Sequence, residues 1–262
     1  MLKYEESGNV SFENVIMVSG LYFPNSFMSV AELSAKYHVI IPELHGFGEN
    51  TDTIFEVDKM YDELTQLCEK FAPCHIVGFS IGADLVFKLI CEKPDLFRSA
   101  ILISPALDDK ENYIKERLPL IMSDLKRMRK PFFSKLIAKL NAYPKEELKA
   151  FSESMKNVSE ESVKRSVNNG ITFESVPGFA ELRLPVLVMV GGKEAKQIIS
   201  TAKRMAKMNT NCQCSILKNG DHNIPLIFGK ALLTELYPFY ENNESLYFRA
   251  QTNEPRAEIA EK

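Results

Sequence analysis

The amino-acid sequence predicts an α/β protein in which a mostly parallel central sheet is flanked by helices. Short, nearly all-apolar runs rich in β-branched residues recur along the chain, which is typical of parallel strands buried on both faces. Stretches with the apolar period of a helix separate most of these runs, so strands and helices alternate. The stretch from about Pro105 to Glu181 breaks the alternation, because it has several helical patterns and no convincing strand. It predicts a helical insertion.

Six apolar runs predict the strands of this sheet. They are Val15–Val18, Val39–Ile41, His75–Val77, Ala100–Ile103, Val186–Val190 and Ser215–Leu217. The clearest helical period lies between the second and third runs, where Met60, Leu64 and Leu67 share one face. Charged residues such as Glu63 and Lys70 occupy the opposite face, so this helix is expected to pack one side on the sheet.

The predicted elements divide the chain into three parts. Residues 1–104 and 182–240 form the core domain, residues 105–181 the helical insertion, and residues 241–262 a polar C-terminal tail. The weak periodicity of that tail predicts that it is mobile. The insertion is mildly basic, with 14 basic and 11 acidic residues between positions 106 and 180. Because these charges are scattered over amphipathic patterns, we interpret them as solvated helix faces.

The composition excludes several classes of protein. The 262 residues are 45% apolar and 26% charged, as in folded globular proteins, which excludes disorder as the main state. The formal net charge of −3 supplies no basic field for nucleic acid, and it disfavours an anionic membrane surface for the same reason. The apolar runs are too short to predict a membrane span, and the first residues do not predict a signal peptide.

The five cysteines predict reduced thiols. They are an odd set in a chain long enough to build its own core, so no disulfide framework is expected. This cysteine usage favours a reducing, cytoplasmic location. No histidines and cysteines show the spacing of zinc ligands, and we therefore expect no metal site.

The sharpest local signal is the pentapeptide Gly78-Phe79-Ser80-Ile81-Gly82. It follows the predicted strand CHIVG and opens the helical stretch ADLVFKLICEK, so the order is strand, turn and helix. A serine on such a strained turn is lifted out of the sheet, and glycines two positions away on either side allow the backbone to approach its neighbours. Ser80 is thus a candidate nucleophile, whereas a plain turn in which Ser80 caps the helix is the alternative.

A serine hydroxyl needs a general base, and that base needs an orienting carboxylate. His222 lies in the loop after the last predicted strand, from which an imidazole is able to reach the serine. Glu194 follows the strand PVLVMV, at the sheet edge where catalytic groups of parallel sheets gather. Asp108 also follows a strand end and stays open as an alternative acid.

Stabilising an oxyanion requires hydrogen-bond donors aimed at one point. The strand that ends at Ser19 and Gly20 is able to turn so that the Leu21 N–H points at the same place as the Ile81 N–H. A simple strand-to-loop turn at Gly20 is the alternative interpretation of this segment.

These motifs resemble those of the α/β-hydrolase superfamily, in particular its small bacterial members with a helical cap inserted late in the sheet. VGFSIGA is similar to the nucleophile elbow of that family, IIPELHGFGEN to its proline-acid loop, VMVGGKE to its acid loop and NGDHNIPL to its histidine loop. The similarity runs from about Val15 to Tyr240. It implies a mostly parallel sheet, and the short segment before Val15 favours seven strands over eight. Ser19-Gly20 departs from the His-Gly of many members.

The resemblance also implies roles for the candidate residues. Ser80 would be the nucleophile, His222 the base and Glu194 the orienting acid, in place of the more usual aspartate. Leu21 and Ile81 would supply the backbone donors of the oxyanion hole. No cofactor is implied.

The expected activity is that of a serine hydrolase acting on an ester-like bond of a small, apolar substrate. Six residues of the insertion are expected to wall an apolar pocket above the nucleophile: Leu125, Met128, Phe132, Phe133, Leu136 and Phe151. The alternative is a hydrolase-fold receptor or signalling partner for a small molecule, with slow or no turnover. The sequence leaves the exact bond cleaved and the oligomeric state open.

Overall fold

A computed structural model of the chain describes residues 2–22, 26–140, 145 and 148–252. Seven strands form one sheet. They are β1 (Tyr4–Ser7), β2 (Asn14–Val18), β3 (His38–Pro42), β4 (Cys74–Phe79), β5 (Phe97–Ile103), β6 (Val186–Gly191) and β7 (Cys212–Leu217). Their order across the sheet is β1-β3-β2-β4-β5-β6-β7, and only β1 runs antiparallel to its neighbour. The predicted fold class and the expected seven strands are confirmed.

Helices connect the parallel strands. They are α1 (Val57–Phe71), α2 (Ile81–Glu92), α3 (Lys110–Met128), α4 (Pro131–Leu140), α5 (Leu148–Asn157), α6 (Glu160–Val167), α7 (Lys196–Met208), α8 (Ile224–Ile227) and α9 (Gly229–Thr252). Short 3-10 segments lie at Met28–Ala35, Pro94–Leu96 and Phe179–Glu181. Four helices, α3 to α6, lie between β5 and β6, in the stretch for which the sequence predicts a helical insertion.

Alternating side chains of the strands build a core on each face of the sheet. Ile16 and Val18 of β2 point into the cluster that includes the apolar faces of α1, α2 and α7. Val15 and Met17 point to the other face, where they join Leu236 and other residues of α9. A strand covered on both faces has no polar face, which is why the central strands are almost entirely apolar.

The C-terminal segment differs from the sequence-based prediction. A separate tail was expected from residue 241, but the backbone of α9 stays helical through Thr252. The polar composition of this segment weakens the apolar period without breaking the helix. Residues 253–262 of the predicted tail lie outside the described residues.

The turn between β4 and α2 is strained and tightly packed. Ser80 has a φ of +55°, a conformation that L-residues rarely adopt. A Cβ atom on Gly82 would lie 2.3 Å from the carbonyl oxygen of Val18 in β2, and one on Gly78 would lie 2.5 Å from the carbonyl oxygen of Gly82. Only glycine lets the turn approach the neighbouring strand this closely, so both glycines are needed to hold Ser80 above the sheet edge.

We predict that Gly82→Ala destabilises the fold by about 3 kcal/mol, because backbone atoms of β2 cannot move aside for the added methyl group. Gly170→Ala is the matched control. A Cβ atom at position 170 would meet no atom within 4 Å, so this variant carries only the strain of a φ of +72°. That strain costs about 1 kcal/mol. Urea denaturation of both variants measures the difference, and equal losses would contradict the packing argument.

Candidate active site

The candidate residues lie on loops that follow four neighbouring parallel strands. Ser80 follows β4, Ser104 follows β5, Glu194 follows β6 and His222 follows β7. Because the carboxyl ends of parallel strands meet at one edge of the sheet, residues far apart in sequence come together there.

The structure brings Ser80, His222 and Glu194 into one hydrogen-bonded row. Ser80 Oγ lies 3.0 Å from His222 Nε2, and His222 Nδ1 lies 2.8 Å from Glu194 Oε2. With the Nδ1 proton directed at the carboxylate, Nε2 is free to accept the proton of the serine hydroxyl. This arrangement is able to activate a hydroxyl group for attack on a carbonyl carbon.

The carboxylate of Glu194 is fully buried and held from two further directions. Its Oε1 accepts hydrogen bonds from the Ser104 hydroxyl and from the Gly191 N–H, each at 2.7 Å. Such bonds offset the cost of burying a charged group. Sequence analysis did not single out Ser104. Its position directly after the predicted strand Ala100–Ile103 was the available signal.

Asp108, the alternative acid, does not contact His222. Its Oδ1 accepts a hydrogen bond from Arg204 Nη1 at 2.6 Å, and its backbone N–H donates to Thr201 Oγ1 at 3.0 Å. Both partners belong to α7. The structure therefore places Asp108 as a link between the loop after β5 and α7, and it places Glu194 beside the imidazole.

The two predicted backbone donors border the candidate nucleophile. Leu21 and Ile81 line the same cavity as Ser80, and neither N–H donates to an acceptor within the described residues. Gly20 brings the two segments close together, because a Cβ atom there would lie 3.3 Å from the Cβ atom of Ser80. The space beside Ser80 is thus bordered by the two residues that carry these amides.

A cavity of about 320 Å³ opens above Ser80, but its walls differ from the prediction. Of the six apolar residues expected there, Met128 lines the cavity, whereas Leu125 and Phe151 are buried in the core. The remaining three, on α4, have exposed side chains: Phe132, Phe133 and Leu136. Apolar spacing alone does not say which face of a helix turns inward, and this is why the prediction was wrong.

One wall of the cavity is polar. The carboxylate of Asp84, on the nucleophile helix α2, accepts hydrogen bonds from Lys110 Nζ, from Asn169 Nδ2 and from the Ala106 N–H. Tyr113 lies on the same wall, and burial, reinforced by the Asp84 carboxylate, raises the pKa of its phenol to about 12. The Tyr113 hydroxyl, which is protonated at neutral pH even at the ordinary pKa of a phenol, adds a hydrogen-bonding group to this wall.

Metal sites and membrane-spanning helices are absent from the described ranges. No group of three or more histidine, cysteine, aspartate or glutamate side chains there is arranged to hold a metal ion. None of the helices that the structure describes combines the length and apolar character needed to cross a bilayer.

Most of the chain matches one known protein family. The family model for the alpha/beta hydrolase fold matches residues 14–224, which is most of the chain. The chain belongs to the α/β-hydrolase family. The predicted resemblance is confirmed, and so is the general expectation of a hydrolase of the lipase and esterase type.

Individual relatives are distant. Lipase 1 of Psychrobacter immobilis is 23% identical over 86% of this chain and 75% of its own length. The magnesium-chelatase 30 kDa subunit of Rhodobacter capsulatus is 29% identical, but the match spans 42% of this chain and only 39% of that protein. Among solved structures, a candidate lipase of Acinetobacter baumannii has a TM-score of 0.73 at 25% identity, covering 92% of this chain and 88% of its own. A Nitrososphaera gargenis structure from a study of carboxylesterases shares the fold, with a TM-score of 0.69 at 17% identity over 93% and 95% of the two chains.

We predict that Glu194→Gln lowers the turnover of a chromogenic ester by roughly three to four orders of magnitude, because an amide no longer orients and stabilises the imidazolium. Asp108→Asn is the matched control and should lose little activity. A larger loss for Asp108→Asn, with both variants folded, would assign the acid role to Asp108.

We also predict that Ser104→Ala lowers kcat roughly tenfold, because Glu194 then loses one of the hydrogen bonds that fix its carboxylate. The value of KM should change little, since Ser104 does not line the cavity. Steady-state kinetics separates the two effects, and a loss confined to KM would argue against a positioning role for Ser104.

Proposed function

We propose that the protein is a serine hydrolase that cleaves an ester-like bond of a small substrate with a Ser80-His222-Glu194 triad. The observation that carries this proposal is the unbroken row of hydrogen bonds from Ser80 Oγ through the imidazole to the buried carboxylate. The family assignment supports the reaction class, and the geometry supports the choice of residues.

In the proposed mechanism, Ser80 Oγ attacks the carbonyl carbon of the substrate while His222 Nε2 accepts the hydroxyl proton. Glu194 stabilises the imidazolium that forms. The same proton then passes to the leaving alcohol, which departs as the acyl-enzyme forms. A water molecule, deprotonated by His222, hydrolyses the acyl-enzyme and restores Ser80. This scheme uses no cofactor.

The negative oxygen of each tetrahedral intermediate would be held by the backbone N–H groups of Leu21 and Ile81. Donors that are fixed before the reaction starts stabilise this charge without further reorganisation. Both amides border the cavity beside Ser80, which supports their assignment as an oxyanion hole.

The substrate would occupy the cavity between the sheet edge and helices α3 to α6. We propose that residues 105–181, which include these helices, form a cap over the site. The volume of the cavity suits a small molecule. Ile121, Met128 and Ile137 offer an apolar surface for an acyl or alcohol group. The polar wall accommodates an ester carrying a hydrogen-bonding group, so we extend the expected substrates beyond wholly apolar esters.

We further propose that the protein works in the cytoplasm. All five cysteines are free thiols, and burial raises the pKa of Cys74, Cys91 and Cys212 to about 12. These thiols remain protonated and unreactive, which suits a reducing compartment.

A fluorophosphonate probe tests the proposed nucleophile. The intact mass of the wild-type protein should increase by one adduct, because the probe reacts with activated serines. Ser80→Ala should stay unlabelled, whereas Ser104→Ala is a matched control that keeps the nucleophile and should still be labelled. An unlabelled but folded wild-type protein would contradict the hydrolase proposal and favour ligand binding without turnover.

A further inference from the structure

Helix α4 turns four of its large apolar side chains away from the protein, whereas Ile137 faces the interior. Phe132 and Leu140 are 73% and 70% exposed, and Leu136 and Phe133 are 42% and 40% exposed. Positions 132, 136 and 140 follow the helical repeat, and the Phe133 ring packs against the Phe132 ring with centroids 5.5 Å apart. We name this set, Phe132, Phe133, Leu136 and Leu140, the α4 apolar face. Adjacent exposed apolar side chains of this size mark an interaction surface.

The inner side of α4 explains this orientation. Ser134 and Ala138 are fully buried, and the Ser134 hydroxyl donates a hydrogen bond of 2.8 Å to Ser152 Oγ of α5. Small residues let α4 and α5 pack closely, so the large side chains of α4 are left on the outside. The outer side of α4 is therefore mixed, because it presents these apolar side chains together with the exposed Lys135 and Lys139.

The surroundings of the α4 apolar face are strongly basic. Between positions 125 and 140 the chain has six basic residues and no acidic one. They are Lys126, Arg127, Arg129, Lys130, Lys135 and Lys139. Arg127 forms an ion pair with Asp124 and Arg129 forms one with Glu160, which leaves the four lysines to supply the positive charge. Within the described residues no salt bridge involves any of the four lysines. The net charge of −3 for the whole chain therefore conceals a local concentration of positive charge beside exposed phenylalanines and leucines.

We propose that the α4 apolar face docks on the surface of an anionic lipid bilayer. Apolar side chains enter the boundary between headgroups and acyl chains, while neighbouring lysines extend to the phosphate groups. A second copy of this chain fits the surface less well. A two-fold contact through α4 would place lysines opposite lysines, and like charges repel.

The docking surface lies next to the cavity above Ser80. Ile137 of α4 lines that cavity, and so does Met128 at the end of α3. Docking through α4 would therefore hold this side of the cavity close to the bilayer. The proposal concerns binding, and it stands whether or not Ser80 turns over a substrate.

A single tryptophan tests the proposal directly, because the chain contains none. With Phe132→Trp, the emission should shift to the blue and be quenched by brominated lipid when vesicles contain phosphatidylglycerol. Pure phosphatidylcholine vesicles should cause little change, and high salt should reverse the shift. Phe12→Trp, a matched control at another partly exposed phenylalanine, should show no shift. Equal shifts at both positions, or none at either, would overturn the proposal.

Vesicle sedimentation tests the same surface by loss of binding. Leu136→Ser combined with Leu140→Ser, and separately Lys135→Glu combined with Lys139→Glu, should each reduce the bound fraction roughly tenfold. Lys203→Glu combined with Lys207→Glu changes two exposed lysines of α7 and should leave binding unchanged. Thermal unfolding verifies that every variant is folded. A concentration-dependent dimer that the Leu136 and Leu140 changes abolish, with no vesicle binding, would assign the surface to a second copy.

Discussion

The close approach of the β4-α2 turn to strand β2 is the constraint on which the site depends. Gly82 lies against the backbone of β2, and Ser80 is held at a positive φ that ordinary turns do not require. Because the turn cannot relax, the serine hydroxyl stands clear of the sheet edge. Gly20 sits against the same turn, so the loop after β2 and the start of α2 share one small space. The cavity, His222 and the lining residues Leu21 and Ile81 are all arranged around that point.

A buried carboxylate holds the rest of the row together. Glu194 would be costly to bury alone, but three hydrogen bonds, from Ser104, Gly191 and His222, satisfy its two oxygens. These donors belong to the loop after β5, to the last residue of β6 and to the loop after β7, so the position of the imidazole depends on three strand ends at once. Rigid parallel strands supply that precision, because their ends are fixed by pairing along the whole sheet.

The helices between β5 and β6 combine two different surfaces. Towards the sheet, Asp84 of α2 joins the start of α3 at Lys110 to the segment after α6 at Asn169, so both ends of the inserted region are tied to the nucleophile helix. Towards solvent, α4 presents large apolar side chains among lysines. The net charge of the chain gives no sign of this second surface, because electrostatic attraction depends on where charges lie as well as on their sum.

The strand runs, the order of motifs and the strained glycine turn were readable from the sequence, because each depends on a local pattern of residues. These patterns predicted the sheet and named Ser80, Glu194 and His222. Only the tertiary structure decided that Glu194 and not Asp108 lies beside the imidazole, since both acids follow a strand of the same sheet. It also revealed Ser104 and the outward face of α4. A helical period defines which residues share a face, but the partner against which the helix packs decides whether that face is buried or exposed.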